Sequence, residues 1–372
     1  YIEKNIKIIS KKDAKAMEDM TEEQIEKMIT DLIKAKELDN GEDNWYDNVS
    51  HKEYIMSYML IDLNQVLISN LMQHLKHVAK DNEISEDLVR HMSINTIRAN
   101  VKQFKSKYPN VILCCDNKKY WRRDFFPFYK SQRKHDREAS GLDWNMIFET
   151  LNRIRDDLKE YFPYKVLDVD GAEADDVIAV LTARLAPHGN VLILSSDKDF
   201  GQLQKYPNVT QYSPILKRFV KIDNPALFIK EHIIRGDRGD GVPNFLSADN
   251  TFAAGERQKV INSKRLQEWL SQDAETFCTN DNMLRGFKRN QTLVDFDYIP
   301  NEVQQKIVTA FDDAKPATRQ KMLDYFIKKN LKAMIESISD FWGNKMSSNK
   351  NIYEVFDDFK KAKTKEERLA VL

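Results

Sequence analysis

Val191-Leu192-Ile193-Leu194-Ser195-Ser196-Asp197 runs from four apolar residues through two serines to an acid. The same figure stands earlier in Tyr58-Met59-Leu60-Ile61-Asp62 and in Val111-Ile112-Leu113-Cys114-Cys115-Asp116. Lys165-Val166-Leu167-Asp168-Val169-Asp170 is a further short run of this type. Between these runs the apolar residues step at helical spacing. Leu88, Met92, Ile97, Val101 and Phe104 form one such face, and Ile147, Leu151, Ile154, Leu158 and Tyr161 another. Val177 through Leu185 predicts a third helix. Near-continuous apolar strands between amphipathic helices predict an α/β fold, with a mostly parallel central sheet covered by helices on both faces. Val209–Tyr212 and Arg218–Ile222, flanking Ser213–Lys217, predict an edge hairpin. Beyond Pro225 the pattern turns helical, over Leu227–Ile234, Lys259–Trp269, Asn301–Phe311 and Thr318–Trp342, which predicts an α-rich C-terminal part.

The chain of 372 residues is long enough for two or three domains, and 41% of it is apolar. Composition excludes collagenous, low-complexity and disulfide-framework classes. No apolar run is long enough for a membrane helix, so no membrane partner is expected. Three cysteines, two of them adjacent, offer no zinc spacing and read as reduced thiols in a cytoplasm. Residues 1–55 carry nine basic and 14 acidic side chains and read as an acidic extension foreign to the working domain. Residues 56–224 read as the α/β domain, 225–345 as the α-rich domain, and 346–372 as an appended charged helical tail. A monomer is expected.

Asp62, Asp116 and Asp197 all fall at carboxyl ends of predicted strands, where open α/β sheets bind ligands. Glu173, Asp175 and Asp176 open the helix that follows the third strand, Asp199 follows Asp197 by two, and Asp237 and Asp240 follow the helix ending at Gly236. Each acid alone has an ordinary explanation: the helix dipole favours acids in a first turn, and aspartate forms turns. Together they make up to nine carboxylates at one rim, which cannot all ionise without cations. An oxygen-only set selects Mg²⁺, with Mn²⁺ able to substitute, and so many acids imply two ions acting on phosphodiester chemistry.

Residues 98–137 hold 12 basic side chains against three acidic ones. Within them Lys118, Lys119, Tyr120, Trp121, Arg122, Arg123, Tyr129, Lys130, Arg133 and Lys134 interleave cations with aromatics, a pattern suited to phosphate contact and base stacking. The ordinary alternative is a solvated loop around a few core aromatics.

Ile61-Asp62, Cys115-Asp116-Asn117, Tyr120-Trp121-Arg122-Arg123-Asp124-Phe125, Tyr129-Lys130-x-x-Arg133, Glu173-Ala174-Asp175-Asp176, Ser196-Asp197-Lys198-Asp199-Phe200 and Gly236-Asp237-x-x-Asp240 stand in one order. In that order the chain resembles the flap-endonuclease / 5′-nuclease family, and within it the ribonuclease H branch of T-even-type phages. Tyr206-Pro207-Asn208-Val209 and Asp295-Phe296-Asp297-Tyr298-Ile299-Pro300 resemble the same branch. The resemblance spans roughly residues 58–342. It implies a metal-dependent 5′→3′ exonuclease or flap endonuclease that removes RNA primers and 5′ flaps from duplex DNA in replication. It also implies a helical arch over residues 117–140. Asp62, Asp116, Glu173, Asp175 and Asp197 match one metal site, and Asp176, Asp199, Asp237 and Asp240 the other. Lys130 and Arg133 match a basic pair at the scissile phosphate, Tyr129 an aromatic beside it, and Arg122 and Arg123 phosphate holders.

The resemblance also implies a single-strand-binding protein as partner and, for a phage-encoded chain, the host cytoplasm. Ile335, Ile338, Phe341 and Trp342 offer an apolar-aromatic helix end to a sliding clamp, against the ordinary reading of a helix packed on its own domain. The chain departs from cellular relatives after Pro243. It runs Asn244-Phe245-Leu246-Ser247-Ala248-Asp249 where they carry a glycine-rich hairpin that binds duplex DNA, and Gly241 stands where many have Asn. The competing functions are a non-cleaving branched-DNA binding module and a small PIN-type ribonuclease. A missing acid would favour the first, and the lack of the Tyr-Lys-x-x-Arg stretch would favour the second.

Overall fold

Strands β1 (Met56–Asp62), β2 (Asn110–Cys115), β3 (Lys165–Asp168), β4 (Gly189–Leu194), β5 (Val209–Ser213) and β6 (Arg218–Val220) form one sheet in the order β3-β2-β1-β4-β5-β6. All neighbours run parallel except the β5–β6 hairpin. The structure is a computed structural model and describes residues 56–78 and 85–341. The expectations for residues 1–55 and 346–372 lie outside the described residues. Ile55–Asn344 form one compact unit.

Alternation along β1 shows why its sequence is apolar throughout. Met59 and Ile61 pack on one face, against α1 (Leu63–Val78), α2 (Glu86–Phe104) and α5 (Trp144–Tyr161). Tyr58 and Leu60 pack on the other face, against α6 (Ala174–Leu185). Both faces are buried, so no polar position is left to mark the period. Helix starts follow the capping chemistry: the Ser85 hydroxyl accepts the Leu88 N–H at the head of α2.

The insertion between β2 and β3 also carries α3 (Trp121–Phe125) and α4 (Arg133–Ala139). Past the hairpin come α7 (Pro225–Arg235), α8 (Ser263–Leu270), α9 (Ala274–Phe277), α10 (Asp281–Val294), α11 (Asn301–Asp313), α12 (Arg319–Lys328) and α13 (Lys332–Glu336). Helices α7 to α10 build a third core around Phe245, Trp269 and Phe287, which also takes in Phe126 and Tyr129. The last helices return to the sheet: α11 joins the second face, and α12 and α13 join the first.

Three details differ from the sequence expectation. The fourth strand ends at Leu194, so Ser195–Asp197 lie beyond the sheet. The helical stretch from Thr318 breaks after Lys328, where Asn330 takes φ 54°. Phe341 is fully buried and Ile335 and Ile338 pack on the first core, while Trp342 lies outside the described residues. That end therefore packs on its own fold, and its buried Phe341 is not offered to a clamp.

The third detail is α10, which the apolar pattern does not announce. Its buried face carries Arg289 and Asn290. Arg289 Nη2 donates to the Pro243 carbonyl at 2.7 Å and the Asn244 carbonyl at 3.1 Å, and Asn290 Nδ2 donates to the Ile233 and Pro243 carbonyls at 2.8 and 3.0 Å. Polar side chains here do the work of a core by satisfying loop carbonyls.

Helix α10 crosses the Phe245 backbone at Gly286, where an added Cβ would stand 2.0 Å from the Phe245 carbonyl oxygen. Helix propensity favours Ala over Gly by about 1 kcal/mol. We expect the close approach to win, so that Gly286→Ala destabilises the protein by about 1–3 kcal/mol in chemical denaturation. A more stable variant would show that this crossing is not tight.

Candidate active site

Strand order decides where a site can form. The chain builds β1, β2 and β3 outward on one side, then crosses to β4 and β5 on the other. The two halves part between β1 and β4, and a crevice opens there at the carboxyl ends of the strands. Asp62 closes β1, Asp116 follows β2, and Asp197 lies just past β4.

Local hydrogen bonds hold these acids. Asp62 is 4% exposed, and it accepts the Gln65 N–H at 3.1 Å and the Ser195 hydroxyl at 3.0 Å. The same Ser195 oxygen accepts the Asp197 N–H at 3.1 Å, which ties the ends of β1 and β4 together. Asp116 accepts the Asn64 amide at 3.1 Å and the Ala174 N–H, at the head of α6, at 2.9 Å. Asp197 accepts the Asp199 N–H at 3.0 Å.

The carboxylates press on one another. Burial, then Asp116 and Asp197, push the Asp62 carboxyl up to about 8. Burial and Asp197 push Asp175 well above the usual range, and burial raises Asp197, with Asp240 and Asp237 adding to it. Asp199 is pushed up to about 7 by burial and by Asp197, Asp237 and Asp240, against the pull of His232. Burial also acts on Asp237, but His232 and Lys198 hold it well below the usual carboxylate range. Lys198 Nζ lies 3.0 Å from Asp237 Oδ2.

The basic stretch divides into two roles. Lys118, Lys119 and Arg123 are exposed, as is Arg133. Lys130 takes φ 54°, and its N–H donates to the Asp240 carbonyl at 2.8 Å. Its ammonium donates to Glu173 Oε1 at 2.6 Å, and Arg133 Nη2 donates to Asp240 Oδ1 at 2.6 Å. Burial disfavours the Lys130 charge, yet Asp240 and Glu173 raise its pKa. The base of the arch is thus clamped onto the loop after α7. Gly241, at φ +73°, fits under the Phe128 carbonyl, where a Cβ would stand at 2.9 Å.

Four expected site residues are placed otherwise. Arg122 is 2% exposed, so it faces no strand. Its Nη1 lies 3.1 Å from Glu173 Oε2 and 2.8 Å from Asp176 Oδ1, and its Nε donates to the Leu293 carbonyl at 2.8 Å. Asp176 is fully buried behind the rim, and its Oδ2 accepts the Glu173 N–H at 3.0 Å and the Trp121 indole N–H at 3.2 Å. Both its oxygens are engaged, which removes it from the metal-facing set. Trp121 is committed to that carboxylate. The buried Tyr129 hydroxyl stands 3.1 Å from Glu173 Oε2 and 2.8 Å from Asp240 Oδ2, so it bridges acids and is not free to stack on a base. Tyr120 caps α3 edge-on to Tyr129. The Lys134 side chain lies outside the described residues.

Two family models match the chain: "5′-3′ exonuclease, N-terminal resolvase-like domain" over residues 57–232, and "T4 RNase H, C terminal" over residues 224–341. Ribonuclease H of Enterobacteria phage T4 is 37% identical over 300 residues, which is 78% of this chain and 97% of the phage protein. The chain belongs to this nuclease family. A 5′-3′ exonuclease of Buchnera aphidicola is 30% identical over 38% of the chain and 50% of its own length. Flap endonuclease Xni of Shewanella oneidensis is 26% identical over 47% of the chain and 66% of its own length. A solved structure, T5 D15 protein co-crystallised with metal ions, covers 69% of this chain and 98% of its own, at 19% identity and a TM-score of 0.49.

Several residues that shape this nuclease's rim gave no sequence signal. Ser195, Asn64 and Gln65 are common polar residues whose partners lie far along the chain. His232 lies 3.4 Å from both Asp199 and Asp237, and nothing in the surrounding helix marks it. Among the described residues no helix is long and apolar enough to cross a membrane.

Asp62 and Asp199 keep their protons in the folded, metal-free chain up to about pH 8 and about pH 7, whereas an unfolded aspartate releases its proton near about pH 4. The folded state therefore binds more protons across that window, and stability falls as pH rises through it. We expect the melting temperature in EDTA to drop between about pH 5 and about pH 8. Divalent metal should restore it more at the upper end. A metal-free melting temperature that rises across this range would refute the charge crowding.

Proposed function

We propose that this chain is a Mg²⁺-dependent 5′→3′ nuclease that hydrolyses phosphodiester bonds at 5′ ends, removing RNA primers and 5′ flaps from duplex DNA in replication. The observation that carries the reading is the gathering of Asp62, Asp116, Asp175, Asp197, Asp199, Asp237 and Asp240 at one rim, with Lys130 and Arg133 beside them. The names of its relatives (ribonuclease H, 5′-3′ exonuclease and flap endonuclease) support a 5′ end as the substrate feature.

The donor set fits hard dications. Burial and neighbouring carboxylates raise the pKa values of Asp62, Asp175, Asp197 and Asp199, and Asp199 Oδ1 is buried without a hydrogen-bond partner. In this reading Asp62, Asp116, Asp175 and Asp197 hold one Mg²⁺, while Asp199, Asp237 and Asp240 hold the second; Mn²⁺ can replace either. Glu173 acts on the first group through its charge, since Arg122, Tyr129 and Lys130 already engage its oxygens. Such ions supply activated water and charge stabilisation at phosphorus.

The chain's own cations complete the site. Lys130 and Arg133 leave their carboxylate partners as the phosphate arrives and neutralise charge growing on its oxygens. Exposed Lys118, Lys119 and Arg123 track the phosphates leading to that point. Okazaki-fragment processing in a phage-infected cytoplasm, alongside a single-strand-binding protein, is the setting this activity suits.

A 5′-labelled flap, a nick and an RNA-primed duplex, compared with Mg²⁺ and with EDTA, test the reading. Asp197→Asn should reduce cleavage to the EDTA level while retaining DNA binding. It should also raise the metal-free melting temperature, because one like charge is gone. Full activity in that variant would sink the proposed site. Lys130→Ala should lower the single-turnover rate by about 10²–10³-fold and affect DNA affinity less. An unchanged rate would exclude Lys130 from the reaction.

A further inference from the structure

Asp197 lies past the end of β4, where side chains take over from the strand ladder. The Ser195 N–H still donates to the Tyr212 carbonyl of β5, at 3.2 Å. After it, the Ser196 N–H turns to Gln65 Oε1 and the Asp197 N–H to Ser195 Oγ. The carbonyls of this segment go to Gln211 of β5, which is 1% exposed and stands opposite Ile193. Its Nε2 donates to the Ser195 carbonyl at 3.1 Å and to the Asp197 carbonyl at 2.5 Å. Two residues on, the buried Ser213 hydroxyl stands 2.7 Å from the Ser196 hydroxyl. Strand β5 thus holds all three residues of the segment, although it contributes no acid to the rim.

The ordinary reading makes Gln211 a polar filler in a covered strand. Its own oxygen argues against that, because Oε1 is buried without a hydrogen-bond partner. An unpaired buried acceptor costs free energy, which an apolar β-branched side chain would avoid. Turning the amide over would set its oxygen against two carbonyl oxygens, so the pair it serves fixes its orientation. What the amide provides is donors for two carbonyls beyond the end of the ladder.

Those carbonyls belong to residues that place two acids. Ser195 Oγ donates to Asp62 and accepts the Asp197 N–H, and Asp197 is itself a rim acid. With its N–H held by Ser195 and its carbonyl by Gln211, the Asp197 backbone is pinned on both sides of the Cα. That fixes the point from which its carboxylate reaches into the rim.

We propose that Gln211 is a positioning residue for the nuclease reaction, acting through Asp197 and Asp62, with Ser213 assisting through Ser196. The proposal rests on the nuclease reading for the use of those acids. Carboxylates held in place before a cation arrives bind it more tightly and direct it better.

Gln211→Met keeps the length and bulk of the side chain and removes the donor. The full chain is measured for Mn²⁺ affinity by calorimetry, for single-turnover cleavage of a 5′-labelled flap across a Mg²⁺ series, and for flap affinity in EDTA. We expect Mn²⁺ affinity and the rate at low Mg²⁺ each to fall about tenfold or more, and flap affinity in EDTA to hold. Val209→Ala separates positioning from stability. Val209 packs in the second core from the same strand, and its N–H donates to the Tyr206 carbonyl, away from the segment. This variant should melt lower and keep the wild-type Mn²⁺ affinity and Mg²⁺ dependence. If Gln211→Met does not fold, Ser213→Ala decides: it should weaken Mn²⁺ binding and shift the Mg²⁺ dependence in the same direction, by a smaller factor.

Wild-type metal dependence in the folded Gln211→Met chain overturns the proposal, as does an equal loss in Val209→Ala or, where Ser213→Ala decides, no shift in it. If the wild type cuts the flap while Gln211→Met keeps its Mn²⁺ affinity, this inference fails and the nuclease reading stands. If the wild type cuts nothing while Gln211→Met loses Mn²⁺ affinity, the nuclease reading fails and the placing of the acids by Gln211 stands.

Discussion

Arg122 is buried with its guanidinium against Glu173, Asp176 and the Leu293 carbonyl, and the acidic rim depends on it. A crowd of carboxylates at one sheet edge repels itself, and burial magnifies the repulsion. The fold counters part of that charge from behind. Arg122 serves the two acids that bracket the first turn of α6, Lys130 serves Glu173, and Lys198 serves Asp237. Removing one partner from a buried pair of this kind leaves an uncompensated charge, at a cost of about 3–5 kcal/mol. At Asp62, Asp175 and Asp197, burial and neighbouring carboxylates outweigh whatever cation lies near. Their raised proton affinities express that shortfall, and dications would supply what is missing.

Two devices keep the crowd in register. Ser195 joins the ends of β1 and β4 by donating to Asp62 and accepting from Asp197. Asp240 joins the arch to the loop after α7 through Tyr129, Arg133 and the Lys130 N–H. That loop is held in turn by Arg289 and Asn290 of α10, which take up the carbonyls of Pro243 and its neighbours. The helical segment thus supports the site through backbone carbonyls, although it contributes no acid of its own beyond the loop.

This arrangement gives stability and function opposite demands. Without metal, deprotonating the rim costs folding free energy. With metal, the same acids become ligands, and the ions become part of the folded structure. A rim relaxed by substituting amides would fold more easily and bind cations less well. The strain is local, because the sheet beneath has both faces covered by apolar packing.

Much of this was legible in the chain alone. Apolar runs with acids at their ends gave the parallel sheet and the candidate carboxylates, because a strand buried on both faces leaves polar residues only where it emerges. Ordered motifs gave the family. What the linear pattern could not separate was facing from backing. Asp175 and Asp176 are adjacent and chemically alike, yet a helix turns successive residues by about 100°, sending one to the rim and the other to Arg122. Arg122, Trp121 and Tyr129 read as nucleic-acid contacts by composition, whereas burial assigns them to the acids. Helix α10 escaped notice because its inward face is polar, and His232 because a lone histidine carries no spacing. Sequence determined which side chains exist near each strand end; only the tertiary structure decided which way each one points, because that depends on contacts between residues distant in the chain.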